Sequence, residues 1–133
     1  MADRLLAVMN AHAVDDLEAL FAEDYRSEQP AHPARGFGGS AQVRKNWSAV
    51  FESIPDFRAA LVRQSADGNV EWAEWDWSGT RTDGSPYRQR GVTIMSVRDD
   101  RIAWARLYME LIEEDSDIEA VVDQMTHRGD RGA

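Results

Sequence analysis

The apolar residues of positions 1–55 recur every three or four residues, which is the period of an amphipathic helix. Three helices are therefore predicted. The first presents Leu5, Val8, Met9 and His12 on its apolar face. The second is predicted to start after Asp15, which can cap its free amides together with Glu18, and to present Leu17, Leu20 and Phe21. The third begins at a Ser40 cap, ends at Pro55 and has the apolar face Val43, Trp47, Val50, Phe51 and Ile54.

After Phe57 the pattern changes to an alternation of apolar and polar residues, which is typical of strands. The turn signals Asp67-Gly68, Asp83-Gly84 and Asp99-Asp100 divide it. Strands are predicted at 57–65, 70–80, 87–98 and 101–112, with a shorter one at Tyr25–Glu28. Helices followed by a strand meander indicate an α+β fold, a curved antiparallel sheet with the helices on its concave face.

Each strand can be divided into two faces, because successive side chains point to opposite sides of a sheet. If the turns keep parity, the inner face holds Trp75, Trp77, Gly91, Thr93, Met95, Leu107 and Met109. The outer face then holds the charged residues Glu74, Asp76, Arg88, Arg90, Arg106 and Glu110. A one-residue error in a turn would exchange the two faces.

The outer face also carries aromatic side chains, which favour protein interfaces when they lie beside arginine. We expect a homodimer that packs sheet to sheet through Trp72, Trp104, Arg106 and Tyr108. The alternative is that the C-terminal helix of the same chain covers this face. That helix is predicted from Ser116 on by Ile118, Val121, Val122 and Met125, with disorder from Thr126 to Ala133.

Length and composition limit the possible functions. The 133 residues suit one domain, here residues 1–113 with an extension at 114–133. The net charge of −9 argues against nucleic acid, and no apolar stretch approaches the roughly 20 residues of a membrane span. The chain has no cysteine and no secretory pattern at Met1–Arg4, so a cytoplasmic location is expected. Three scattered histidines predict neither a metal site nor a cofactor.

The long loop between the second and third helices concentrates the candidate chemistry. Glu28, Gln29, His32 and Arg35 lie within eight residues, and two prolines stiffen the segment. One hypothesis is that His32, with Glu28 nearby, moves a proton on a substrate oriented by Arg35. The alternative is a structural loop whose polar groups satisfy its own backbone.

The inner face is the second candidate region. Tyr25, Trp47, Trp75 and Met109 could line an aromatic pocket, in which Gln29 and Thr93 would form hydrogen bonds, although such stripes are equally typical of a filled core. His12 could act there as a base, but a core or interface histidine is the more common case.

Several residues in this order resemble the nuclear transport factor 2-like superfamily, and within it the SnoaL-like and ketosteroid-isomerase-like proteins. They are Leu20-Phe21-Ala22-Glu23-Asp24, Glu28-Gln29-Pro30, Trp77-Ser78-Gly79-Thr80, Gly91, Arg101-Ile102, Tyr108 and Glu110. The resemblance covers roughly residues 1–113. It implies a cystatin-like conical half-barrel with a mostly apolar pocket, commonly a homodimer, and activities such as isomerisation, dehydration or cyclisation without a cofactor.

The isomerase pattern is not filled in this sequence. Gln29 stands where the general base of the isomerases is expected, and Thr93 and Val8 stand near the places of the two oxyanion donors. Glutamine does not accept a proton at neutral pH. The leading hypothesis is a protein that binds a small apolar organic molecule, with cofactor-free isomerase, dehydratase or cyclase activity possible; the alternatives are a non-catalytic carrier and a structural dimerisation domain.

Overall fold

A computed structural model describes the backbone of residues 1–132 and the side chains of residues 1–127. The helices are α1 (Ala2–Asn10), α2 (Val14–Ala19), α3 (Ser40–Ser53) and α4 (Ile118–Gly132). The strands are β1 (Phe21–Glu28), β2 (Phe37–Gly38), β3 (Arg58–Asp67), β4 (Val70–Thr80), β5 (Pro86–Arg98) and β6 (Arg101–Leu111). These elements confirm the α+β class and give the four long strands within two residues of the predicted bounds.

The strands form one open sheet in the order β2-β1-β6-β5-β4-β3. Strand β1 is parallel to β6, and the other neighbours are antiparallel, so the sheet is mixed. Helix α1 packs against β3, and α3 packs against β1. The helices therefore cover the concave face of the half-barrel.

The boundary between α2 and β1 differs from the prediction. Leu20 and Phe21 were expected on the apolar face of the helix, yet Phe21 begins β1 and pairs with Ile102. The N–H of Ile102 donates to the carbonyl oxygen of Leu20 at 2.7 Å. Pairing with β6 therefore overrides the local helical pattern, and β1 starts four residues before Tyr25.

Both predicted side-chain caps are wrong. Helix α2 has Ala13 at its N-cap and begins at Val14, so Asp15 lies in the first turn, where its carboxylate pairs with Arg44. Helix α3 has Gly39 at its N-cap, with a φ of 93°, and Ser40 is already helical. Glycine suits this position because it adopts a positive φ without strain.

The register confirms the predicted faces in β4 and β5. Trp75 pairs with Gly91, and Ala73 with Thr93, all on the inner face. On the outer face Asp76 accepts hydrogen bonds from Arg88 and Arg90 at 3.0 and 3.2 Å. Ile102 in β6 is an exception: strict alternation with Trp104 would place it on the outer face, but it is fully buried. A bulge between Ser96 and Val97 shifts the pairing with β6 at this point and reverses the parity.

Helix α4, predicted from Ser116 on, begins at Ile118 and continues to Gly132. The Thr126 hydroxyl donates to the carbonyl oxygen of Val122 at 2.9 Å, so threonine is accommodated within the helix. Ala133 lies outside the described residues. The apolar side chains Ile118 and Met125 are exposed, and Trp72 and Tyr108 on the outer sheet face remain 38% and 43% exposed. Helix α4 therefore leaves these two aromatic side chains partly in water. Among the helices described, none has the length and apolar character needed to cross a membrane.

Gly91 permits a close approach of β5 and β6, which generates a first prediction. A Cβ atom at this position would lie 1.9 Å from the carbonyl oxygen of Tyr108, a backbone atom. We expect Gly91→Ala to lower the free energy of unfolding by roughly 3 kcal/mol, as measured by urea denaturation. The matched control is Gly36→Ala, where the new Cβ would meet only ordinary contacts and the φ of −64° suits alanine. Equal stability of the two variants would contradict this packing.

Candidate functional site

A cavity of about 260 Å³ lies between the concave face of the sheet and helices α1 and α3. Its wall is mainly aromatic: Phe21, Tyr25, Phe37, Trp47, Phe57, Trp75, Trp77 and Tyr87. The aliphatic lining residues are Leu5, Met9, Val43, Val50, Met95, Ala105, Leu107 and Met109. The remaining polar lining residues are Ser27, Gln29, Asn46, Gln89 and Thr93. The inner face is thus not filled solidly by its own side chains.

Of the ligand-binding residues predicted from the sequence, Tyr25, Gln29, Trp47, Trp75, Thr93 and Met109 all line this cavity. The prediction did not include Tyr87 and Gln89, although they share the inner face of β5 with Thr93. Alternation along β5 could have found them. Asn46 and Ser27 were also missed; Asn46 lies one residue before Trp47 on α3, outside its apolar stripe, so the helical pattern alone gives no signal for it.

The aromatic side chains are held against one another. The ring of Trp47 lies 5.4 Å from those of both Phe57 and Trp77, in edge-to-face arrangements of 80° and 73°. Such pairs stabilise beyond the area that they bury. The cavity wall on this side is therefore a packed aromatic cluster.

His12 does not line the cavity. Helix α1 ends at Asn10, so His12 is not on the helix face where it was predicted; it adopts a φ of 52° beyond the helix. Its ring stacks on Phe51 at 4.4 Å, and its Nε2 lies 2.8 Å from the carbonyl oxygen of Phe57. These contacts support the structural interpretation of His12.

The proposed pair of His32 and Glu28 is not formed. Tyr25 and Ser27 are buried on the inner side of β1, so alternation turns Glu28 outward, where its carboxylate lies 3.8 Å from Arg106 Nε. His32 Nε2 lies 2.6 Å from Glu110 Oε1 instead, and both side chains are partly exposed. Neither His32 nor Glu28 lines the cavity.

Arg35 is outside the cavity wall but contacts it through Gln29. Its Nη1 donates to Gln29 Oε1 at 3.2 Å. Because the guanidinium only donates, the amide of Gln29 must turn its carbonyl oxygen toward Arg35. Arg35 is therefore a positioning residue for Gln29.

Hydrogen bonds within the wall satisfy several buried groups. The Nε1–H of Trp75 donates to Thr93 Oγ1 at 2.8 Å, with both residues buried. The phenol of Tyr87 donates to Gln89 Oε1 at 2.6 Å, and Gln89 Nε2 donates to the carbonyl oxygen of Met109 at 3.3 Å. Trp77 differs: in the part of the chain with described side chains, its buried Nε1 has no hydrogen-bond partner.

The cavity is electrically neutral at physiological pH. Burial raises the pKa of Tyr25 to about 12, although a hydrogen bond with Ser27 opposes the shift. Burial likewise raises the pKa of Tyr87 to about 12, opposed by the charge of Arg81. Of the residues that line the cavity within 1–127, none is a carboxylate, an imidazole, a lysine or an arginine. No metal-binding cluster of three or more histidine, aspartate or glutamate side chains occurs in the same range.

Removal of the Thr93 hydroxyl generates a second prediction. Thr93→Val would leave the fully buried Trp75 Nε1–H without its acceptor, which costs about 1–3 kcal/mol. We expect urea denaturation to show a free energy of unfolding that is lower by this amount. The control is Thr82→Val, since Thr82 is exposed in the β4–β5 turn. If both variants unfold at the same urea concentration, the indole–hydroxyl bond contributes nothing to stability.

Comparison with known proteins agrees with this geometry. The family model of the SnoaL-like domain matches residues 2–105. A Catenulispora acidiphila protein with a ketosteroid isomerase-like fold, solved in complex with trimethylamine, superposes with a TM-score of 0.69 at 15% identity, covering 88% of this chain and 87% of its own.

Two further solved structures have the same fold. A nuclear transport factor 2-like protein of unknown function from an Exiguobacterium species has a TM-score of 0.67 at 21% identity, covering 86% of this chain and 98% of its own. A cystatin fold protein of Novosphingobium aromaticivorans has a TM-score of 0.65 at 22% identity, covering 84% and 94%. No curated protein matches the chain by sequence. The family match and the half-barrel around an apolar cavity lead to one conclusion: the chain belongs to the SnoaL-like family and has the nuclear transport factor 2-like fold.

Proposed function

We propose that the protein binds a small, uncharged and mainly apolar organic molecule in the cavity of the half-barrel. The observation that carries this proposal is the neutrality of the wall: aromatic and aliphatic side chains surround the space, and the polar groups among them are phenols, amides and hydroxyls. A predominantly apolar pocket with a few placed polar groups is the usual form of a small-molecule site.

Binding is favoured over proton-transfer catalysis. Isomerisation or cyclisation by acid–base chemistry needs a group that exchanges a proton near neutral pH within hydrogen-bond reach of the substrate. The titratable lining groups of the described residues are Tyr25 and Tyr87, and both remain protonated until about pH 12. His32 and Glu28, which were expected to supply this chemistry, lie outside the cavity wall.

A purely structural role agrees less well with the cavity. Protein interiors are close-packed, so a space of about 260 Å³ in an apolar wall forgoes contacts that larger side chains would make. A dimerisation module would gain stability by filling this space with larger side chains.

An alkylammonium cation is a second candidate ligand. The Catenulispora protein of the same fold is in complex with trimethylamine, and aromatic rings attract such cations through their faces. In the present cavity, however, Trp47, Phe57 and Trp77 already present edges to one another's faces, and no carboxylate lines the described wall to balance a cation. A neutral ligand suits this wall better.

We further propose a homodimer through the outer sheet face. Trp104 lies under the guanidinium of Arg106 at 5.8 Å, and Trp72 and Tyr108 expose aromatic surface beside it. Interfaces are enriched in this combination of aromatic side chains and arginine. The C-terminal helix of the same chain leaves Trp72 and Tyr108 partly exposed, which supports a second copy as the partner.

A pair of fluorescent probes tests the binding proposal. N-phenylnaphthylamine is neutral and apolar, whereas anilinonaphthalene sulfonate has the same rings with a negative charge. We expect the neutral probe to bind at least tenfold more tightly, because no cation lines the described wall. An alkylammonium probe such as tetramethylammonium should not displace it.

Matched variants locate the bound probe. Leu107→Trp would fill the cavity and should abolish binding of N-phenylnaphthylamine, whereas Leu111→Trp on the same strand lies outside the cavity and should not. Displacement by tetramethylammonium would favour the cation alternative. Binding that both variants retain would contradict the assignment of the cavity.

The pH dependence of binding separates carrier from acid–base catalyst. We expect the affinity for N-phenylnaphthylamine to stay constant from about pH 6 to 9, because the lining tyrosines do not titrate there. Stability should fall between pH 10 and about 12, where the unfolded chain loses tyrosine protons that the folded chain retains. His32→Ala should leave the affinity within about twofold. A transition in the range where imidazoles titrate, removed by His32→Ala, would restore the proton-transfer hypothesis.

A further inference from the structure

We infer that helix α4 (Ile118–Gly132) is a lid, which closes over the mouth of the cavity when a ligand occupies it. The lid rests on the proposed function, because a filled cavity gives the helix a surface to cover. Every side chain at positions 113–127 is exposed, yet Ile118, Val121, Val122 and Met125 form an apolar stripe at helical spacing. An isolated helix of this length is marginally stable in water, so the stripe needs a partner surface.

The mouth of the cavity is marked by the lining residues that are in contact with water. Trp75 lies deep in the wall and is fully buried, whereas Phe37, Val50 and Leu107 are only half-buried and Asn46 is exposed. These rim residues belong to β2, α3 and β6, so the mouth opens between these three elements. The rim therefore keeps apolar surface partly in water until something covers it.

The chain leaves the sheet beside this mouth. Leu111, the last residue of β6, pairs with Gln89, which lines the cavity, and the Leu111 side chain is 57% exposed. The segment 112–117 alone separates β6 from the start of α4. Because an extended chain spans about 3.3 Å per residue, this segment reaches roughly 20 Å. Helix α4 can therefore lie across the mouth while it stays attached to its own strand.

Charge complementarity favours the same position. Residues 113–127 contain no lysine or arginine, but they contain the acidic side chains Glu113, Glu114, Asp115, Asp117, Glu119 and Asp123. Guanidinium groups lie beside two lining residues: Arg35 donates to Gln29, and Arg81 lies 5.6 Å from the centre of the Tyr87 ring. These cations attract the acidic segment toward the mouth, whereas the acidic segments of two copies would repel each other.

A bound ligand supplies the contacts that the empty cavity lacks. Without a ligand, the stripe would close over a space of about 260 Å³ and would meet only the rim. With an apolar molecule inside, Val121 and Val122 would bury against the rim and the ligand together. Burial of one valine side chain shifts an equilibrium by at least about tenfold. Occupancy of the cavity therefore drives closure, and closure in turn slows the escape of the ligand.

A first test follows the amide hydrogen exchange of α4 in the unaltered protein, with and without saturating N-phenylnaphthylamine. We expect exchange at positions 118–127 to slow by about tenfold when the probe is bound, because the closed lid protects the helix. If the probe binds and exchange stays fast, α4 is not a lid, and the proposed function still stands. Failure of the probe to bind would overturn both.

A second test places the helix by cross-linking, which is possible because the chain has no cysteine of its own. Val50→Cys on the rim combined with Val121→Cys on the stripe should form a disulfide within one chain when N-phenylnaphthylamine is bound, as detected by electrophoresis without reductant. The matched control combines Val50→Cys with Ala120→Cys, which lies on the side of α4 away from the stripe. We expect the control disulfide to form about tenfold more slowly.

The cross-linked protein also tests the effect of closure on the ligand. It should release N-phenylnaphthylamine about tenfold more slowly than the same protein after reduction, because the lid blocks the mouth. Equal rates of disulfide formation in the two pairs would show that α4 has no preferred face toward the rim and would overturn the lid. A disulfide that links two chains would overturn it as well, because α4 would then cover a second copy.

Discussion

The pairing of β4 with β5 is the constraint on which the cavity depends. The two strands are in continuous register from Val70 opposite Ser96 to Thr80 opposite Pro86, with no bulge between them. Because side chains alternate, this register sends Trp75, Trp77 and Thr93 inward and Asp76, Arg88 and Arg90 outward. A slip by one residue would place the charged groups under the helices and the indoles in water. The separation of a neutral interior from a charged exterior is therefore a property of strand pairing rather than of any single residue.

That separation determines which chemistry the half-barrel supports. Ionised groups on the outer face neutralise one another near water, as Asp76 does with Arg88, at little cost in desolvation. Inside the cavity the same ionised groups would need partners, and they would shift the pKa values of the titratable groups that line it. The alternation in β1 excludes Glu28 from the cavity while it admits Gln29, one residue later. The residue that reaches the cavity is therefore an amide and not a carboxylate. At this position the site can recognise a ligand by hydrogen bonds but cannot accept a proton from it.

The parts of the fold that follow strict periodicity could be predicted from the sequence, and the parts governed by tertiary pairing could not. The four long strands, their faces and the cavity residues Trp75, Thr93 and Met109 follow from alternation and turn signals, and Trp47 follows from the helical period. The extension of β1 back to Phe21 depends on a backbone hydrogen bond between Leu20 and Ile102. These residues are 82 positions apart, so no local pattern reveals their contact. The inward turn of Ile102 depends on a bulge in its pairing with β5. The contact of His32 with Glu110 likewise joins two segments that only the parallel pairing of β1 with β6 brings together.

The hydrogen-bonding groups of the wall can orient a ligand as well as enclose it. Apolar burial holds a ligand without regard to its orientation, since the hydrophobic effect is non-directional. Orientation requires groups whose bonding capacity the protein itself leaves open. Thr93 and Gln89 accept from Trp75 and Tyr87, and Arg35 and Gln42 donate to the amide oxygens of Gln29 and Asn46, so the NH₂ groups of these two amides are the ends left for other partners. A polar atom of an otherwise apolar molecule would lie beside these amides rather than against the aromatic wall, because a polar group buried without a hydrogen bond is costly.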